Sequence, residues 1–88
     1  MLENIEVLYH SSIRINKEKT IYIDPFKIDK NYNDADIVFI THDHYDHYSE
    51  EDIDKVINEN TTIIIPEELL TNLLRKGINK NAIITVLF

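Results

Sequence analysis

Between Thr41 and His47 the chain reads Thr-His-Asp-His-Tyr-Asp-His, placing three of its four histidines and two carboxylates within seven residues. Neutral imidazole nitrogens and carboxylate oxygens at that density suit a borderline divalent metal, and Zn²⁺, Mn²⁺ and Fe²⁺ are all served by such donors. The chain has no cysteine, so no thiolate offers a softer site. The spacing His42-x-His44-x-Asp46-His47 gathers four donors in one loop, directly after the apolar run Ile37-Val38-Phe39-Ile40. Residues so close in sequence rarely close a tetrahedron on one ion. His42 and His44 alone would make a two-point site, completed by water or by donors from another chain. A bound divalent cation would also reverse the local field, so an anionic substrate would no longer be repelled.

This loop resembles the signature of the metallo-β-lactamase superfamily. Two further segments carry the resemblance. Tyr9-His10-Ser11-Ser12-Ile13-Arg14-Ile15 is similar to the Gly-His-Ser-Ser-hydrophobic segment of the branch that includes ascorbate-6-phosphate lactonase, with Tyr9 in place of glycine. Ile21-Tyr22-Ile23-Asp24-Pro25-Phe26 is similar to the strand and Asp-Pro step that precede the metal loop there. The resemblance implies His42 and His44 on a first metal and Asp46 and His47 on a second, with zinc the first candidate at up to two sites. It implies metal-assisted hydrolysis of a small-molecule substrate, in which the metal activates water and polarises a carbonyl or phosphoryl oxygen. Asp46 would orient that water. His10 either joins the same pocket or is an ordinary partly buried histidine. Asp24 either orients a ligand imidazole or fixes its turn by accepting backbone N–H bonds.

In that family the remaining ligands come from the second half of the fold, and here no histidine follows His47. The expectation is therefore residues 1–88 as a single domain, the N-terminal half of an αββα sandwich, truncated and with an incomplete dinuclear site. Three readings stay open: a truncated hydrolase relative, half of an enzyme completed by a second copy or a separate C-terminal half, and a non-enzymatic metal-binding module.

The elements that must position the loop follow from hydropathy. Ile5, Val7 and Tyr9 alternate with polar neighbours, as do Ile13 and Ile15, which is the period of half-buried strands. A polar turn, Asn16-Lys17-Glu18-Lys19, leads into Thr20–Asp24, giving an antiparallel meander of three strands. Pro25 ends the third and restricts Asp24 to extended geometry. Residues 27–34 read as a polar loop with room for one helical turn. Ile37–Ile40 is the strand expected to be buried on both faces, with the ligands at its carboxyl end, where open α/β sheets bind. Ser49 is the expected N-cap of a helix to about Asn58, with Asp52 as its capping-box acid and Ile53, Val56 and Ile57 buried. The acids Glu50, Glu51, Asp52 and Asp54 read as its exposed first turn. Thr61–Ile65 is a second buried strand. Pro66 opens a second helix at its first position, with Leu69, Leu70, Leu73 and Leu74 as the core stripe and Gly77 as its left-handed cap. Ala82–Phe88 closes as a strand. The fold class is α/β: a meander followed by β-α-β-α-β.

At 88 residues, 43% hydrophobic and 28% charged, the chain has the composition of one small globular domain. A net charge of −7 argues against nucleic-acid partners, since phosphate binding needs clustered lysine and arginine. No apolar run reaches the roughly 18–20 residues of a membrane span. The lack of cysteine and of a basic-then-apolar leader makes the cytoplasm the expected compartment. Tyr45 and Tyr48 could line a substrate pocket or be ordinary exposed tyrosines.

Overall fold

The computed structural model describes residues 4–9, 12–41 and 48–87. The elements follow the expected order: β1 (Ile5–Tyr9), β2 (Ser12–Asn16), β3 (Thr20–Ile23), β4 (Ile37–Phe39), α1 (Glu50–Val56), β5 (Thr62–Pro66), α2 (Leu70–Lys76) and β6 (Ile83–Val86). Short 3₁₀ turns at Glu67–Leu69 and Lys80–Ala82 lead into α2 and β6. The strands form one six-stranded sheet in sequence order, antiparallel from β1 to β3 and parallel from β3 to β6.

Register sorts the side chains into rows. Glu6, Arg14, Tyr22, Val38, Ile63 and Ile83 lie side by side on one face. On the other face Ile5, Ile15, Ile21, Ile37 and Thr62 make one row, and Val7, Ile13, Ile23, Phe39, Ile64 and Ile84 make the next. The helices cover the first face. Tyr22, Val38, Ile40, Ile63 and Ile65 are buried there with Ile53 and Val56 of α1 and Leu73 of α2. Full burial of each such aliphatic side chain contributes roughly 1.5–3 kcal/mol, so this single layer is the core.

The second face differs from expectation. Ile37 and Phe39 are only half-buried while Val38 and Ile40 are buried, so β4 is covered on one side rather than both. A continuous apolar run reads the same in sequence whether or not its second face has a cover.

Between β3 and β4 no helical turn forms, because the segment is held by α1 instead. The amides of Tyr32 and Asn33 donate to the Lys55 carbonyl and that of Ala35 to the Val56 carbonyl, while the Asn33 side-chain amide donates to the carbonyls of Asp54 and Ile57. The last carbonyls of a helix lack partners within it, and this loop supplies them. Asn58 donates to the carbonyls of Asn33 and Ala35, which stops α1 at Val56, short of Asn58.

Three further expectations are corrected. Ser49 caps α1 by accepting from the Asp52 amide, but the Asp52 carboxylate is buried and accepts from the Ile28 amide at 2.9 Å. It anchors the β3–β4 loop instead of acting as the box acid or an exposed charge. Pro66 is the last residue of β5, paired with Val86, and precedes the helical turn rather than opening it. Of the leucine stripe, Leu69 and Leu73 are buried but Leu74 faces out. Gly77 closes α2 at φ 101°, the left-handed cap as expected.

Candidate functional site

The carboxyl ends of the parallel strands β3 and β4 lie side by side, with Ile23 opposite Phe39. Asp24 follows β3 and continues the ladder by one bond, its amide donating to the Phe39 carbonyl at 2.8 Å. Its carboxylate is buried and faces Thr41. Oδ1 accepts the Thr41 amide at 2.7 Å and Oδ2 accepts the Thr41 hydroxyl at 2.6 Å. Thr41 is the residue before His42, so a buried carboxylate grips the entry to the histidine loop with two short bonds. At the far end of the loop, Tyr48 packs against the core and Ser49 caps α1. The residues that flank positions 42–47 are thereby held.

Asp24 adopts φ 49°, the left-handed region, where Pro25 led us to expect an extended residue. The bonds to Thr41, seventeen residues on, decide its geometry, and aspartate tolerates that region better than most residues. Ser12 is buried beside the same turn, its hydroxyl accepting the Phe26 amide at 3.1 Å. Ser12 is the first residue of β2. The three segments singled out in sequence therefore meet at one end of the sheet through Ser12–Phe26 and Asp24–Thr41.

His10, His42, His44, Asp46 and His47 lie outside the described residues, as does Tyr45. Among the described residues no group of three or more histidines, cysteines, aspartates or glutamates could hold a metal. Asp24 accepts a hydroxyl and a backbone N–H from Thr41, and whether it also orients an imidazole of the loop lies outside the described residues. Tyr48 is half-buried against the core and donates to Glu50 at 2.7 Å; burial first, then that bond, pushes its phenol well above the usual range. Thr41 and Ser12 were assigned no role from sequence. The usable signal for Thr41 was positional, since residues just past adjacent parallel strands must come together.

A cavity of about 550 Å³ lies elsewhere, between β1–β3 and the Lys27–Tyr32 stretch. Its floor is a closed network. Arg14 donates to the Tyr22 hydroxyl (3.1 Å), Asp34 (3.0 Å) and Glu6 (3.2 Å), and the Tyr22 hydroxyl donates to Asp34 (2.8 Å). Burial and then the Asp34 bond push the Tyr22 phenol up to about 12. Burial acts to lower the Arg14 guanidinium, yet its bonds to Asp34 and Tyr22 prevail and leave it above its usual value. With these charges satisfied among themselves, the network supports the sheet rather than offering a free reactive group.

No helix among the described residues is long and apolar enough to cross a membrane. Residues 4–86 match the family described as Beta-lactamase superfamily domain. No curated protein matches the chain. Among solved structures, it is similar to a protein from Parabacteroides distasonis provisionally named a metal-dependent hydrolase. The identity is 30% and the TM-score 0.67, over 78% of this chain and 33% of that one. The chain thus spans about a third of the length of that solved relative.

Proposed function

Since the chain belongs to the β-lactamase superfamily and its six strands and two helices form half of the metallo-β-lactamase fold, we propose that it is a metal-dependent hydrolase module whose loop His42–His47 supplies metal ligands. The observation that carries this is the grip of buried Asp24 on Thr41, directly ahead of four donors in six residues. A buried carboxylate holding that residue by two bonds serves a loop whose donors must start from a fixed point. Imidazole and carboxylate donors fit zinc first, with manganese and iron also served.

His42 and His44 would hold a first ion, and Asp46 and His47 a second. When bound, the metal would supply Lewis acidity toward a carbonyl or phosphoryl oxygen and toward water, and Asp46 would be the residue to orient that water. Asp24 and Thr41 act as positioning residues, keeping the loop's start in one geometry. The segment Tyr9–Ile15 supports the branch that includes ascorbate-6-phosphate lactonase, and with it a small anionic substrate rather than a nucleic acid. Four donors from one loop do not complete a dinuclear site, so its other ligands come from outside this set, through a second copy or a further polypeptide segment.

Elemental analysis of the purified protein beside a His42→Ala/His44→Ala variant tests this reading. About one metal or more per chain, lost in the variant, is the expected result. Metal absent from both, or retained by the variant, would remove the basis for a metal site in this loop.

A further inference from the structure

The stretch 24–28, which follows β3, is tied to the chain on both sides of the donor loop. At its start, Asp24 accepts the Thr41 amide and hydroxyl, just ahead of His42. At its end, Ile28 is held at both backbone atoms by α1. Its amide donates to Asp52 Oδ1 at 2.9 Å, and its carbonyl accepts from Lys55 Nζ at 2.8 Å. Asp52 in turn is joined to the residue two past His47, since the amides of Asp52 and Ile53 donate to the Ser49 hydroxyl and carbonyl at 3.3 and 2.9 Å. Between the two ends, the Phe26 amide donates to buried Ser12. Asp24 and Lys27 sit at φ 49° and 62°. Left-handed geometry at residues other than glycine persists where the surroundings over-determine it, and here β2, Thr41 and α1 all hold the stretch.

We infer that Asp52 is a positioning residue for the donor loop, holding its exit through Ser49 as Asp24 holds its entry through Thr41, with the stretch 24–28 as their common frame. The inference rests on the reading of His42–His47 as metal ligands. Capping α1 does not call for a buried carboxylate. Ser49 already supplies the N-cap oxygen, and an exposed acid would serve the first turn as well. Burying a charge is costly unless its bonds are made, and Asp52, 6% exposed, makes its bond to a residue of the β3–β4 loop. What that bond adds is a set separation between the end of β3 and the start of α1, and so between the two flanks of a loop whose donors must meet ions at fixed spacing. The two aspartates then divide the work. Asp24 is tied to the flank beside His42 and His44, which would hold the first ion, and Asp52 to the flank beside Asp46 and His47, which would hold the second.

The test is a zinc titration of the 88-residue protein, followed through its histidine ring and backbone amide resonances well below each variant's melting point. Asp52→Ala should raise the zinc midpoint at His47 about tenfold, the lower end of what groups supporting a ligand contribute, and by more than at His42. Asp52→Asn keeps an acceptor oxygen for the Ile28 amide and should restore most of that loss. Thr61→Val controls for stability alone. It strips the far end of α1 of two comparable bonds, from the Asn58 amide and to the Ala35 carbonyl, and should leave both midpoints in place. In the metal-free protein, Asp52→Ala should also lower the amide order parameters of Tyr48 and Ser49, and Thr61→Val should not. If Asp52→Ala does not fold, Lys55→Met frees the Ile28 carbonyl from the more exposed of its two partners and should shift the same resonances in the same direction. A wild type that takes up no zinc would sink the metal reading, and the order parameters would then decide the role of Asp52 by themselves. Asp52 variants that match Thr61→Val in both readouts would overturn the inference, as would equal losses at His42 and His47.

Discussion

Replacing Asp24 tests the grip on the histidine loop most sharply. The carboxylate is 2% exposed and accepts two bonds from Thr41, at 2.7 and 2.6 Å. Hydrogen bonds to a charged group contribute about 1.5–3 kcal/mol each. Asp24→Ala removes both and leaves a part-buried amide and hydroxyl to find other partners, and it places alanine at φ 49°. The expected loss is about 3–5 kcal/mol, a large share of the roughly 5–15 kcal/mol that holds a domain folded. At about 4–8 °C per kcal/mol for this size, the melting point should fall by more than about 12 °C. Asp24→Asn keeps the volume and one acceptor oxygen, so about half the loss is expected. Thermal unfolding by circular dichroism gives the energies, and hydrogen exchange at the Thr41 amide reports the local bond. Asp24→Ala within about 0.5 kcal/mol of wild type, or a Thr41 amide equally protected in both, would refute the reasoning.

Two other predictions concern the scaffold. Tyr22 titrates near 12 in the fold against about 10 when unfolded. Its neutral phenol therefore adds stability that is fully present below pH 10 and is lost as pH rises from about 10 through 12. Phenolate absorbance should show late-ionising tyrosines, Tyr48 among them, and Tyr22→Phe should remove one of these together with that segment of the alkaline stability loss; an unchanged curve would contradict the assignment. Gly77→Ala meets no atom within 4 Å, so its effect comes from the positive φ alone. It should destabilise by about 1 kcal/mol, and an unchanged melting point would mean that the cap does not hold α2.

Much of the fold was readable because it rests on local period. The alternation around Ile5, Val7, Ile13 and Ile15 gave the meander, the Ile37–Ile40 run gave the central strand, and Gly77 marked the end of α2. What escaped reading was settled by partners far along the chain. Asp24 is turned to φ 49° by Thr41, Asp52 is drawn inward by the Ile28 amide, and residues 27–34 lie against the end of α1 instead of coiling. None of these contacts leaves a trace in spacing or propensity. At the candidate site, the donors were visible from residue type and spacing. The buried carboxylate of Asp24 that holds Thr41, the residue before those donors, was visible only once β3 and β4 were seen to end side by side.

The central claim is that the His42–His47 loop binds a divalent metal. Zinc titrated into histidine-labelled protein, followed by the ring nitrogen resonances of all four histidines, tests it directly. The account predicts saturable binding in which His42, His44 and His47 respond together, and no such response in the His42→Ala/His44→Ala variant. Resonances that stay still under excess zinc, or shift alike in the wild type and the variant, would contradict it.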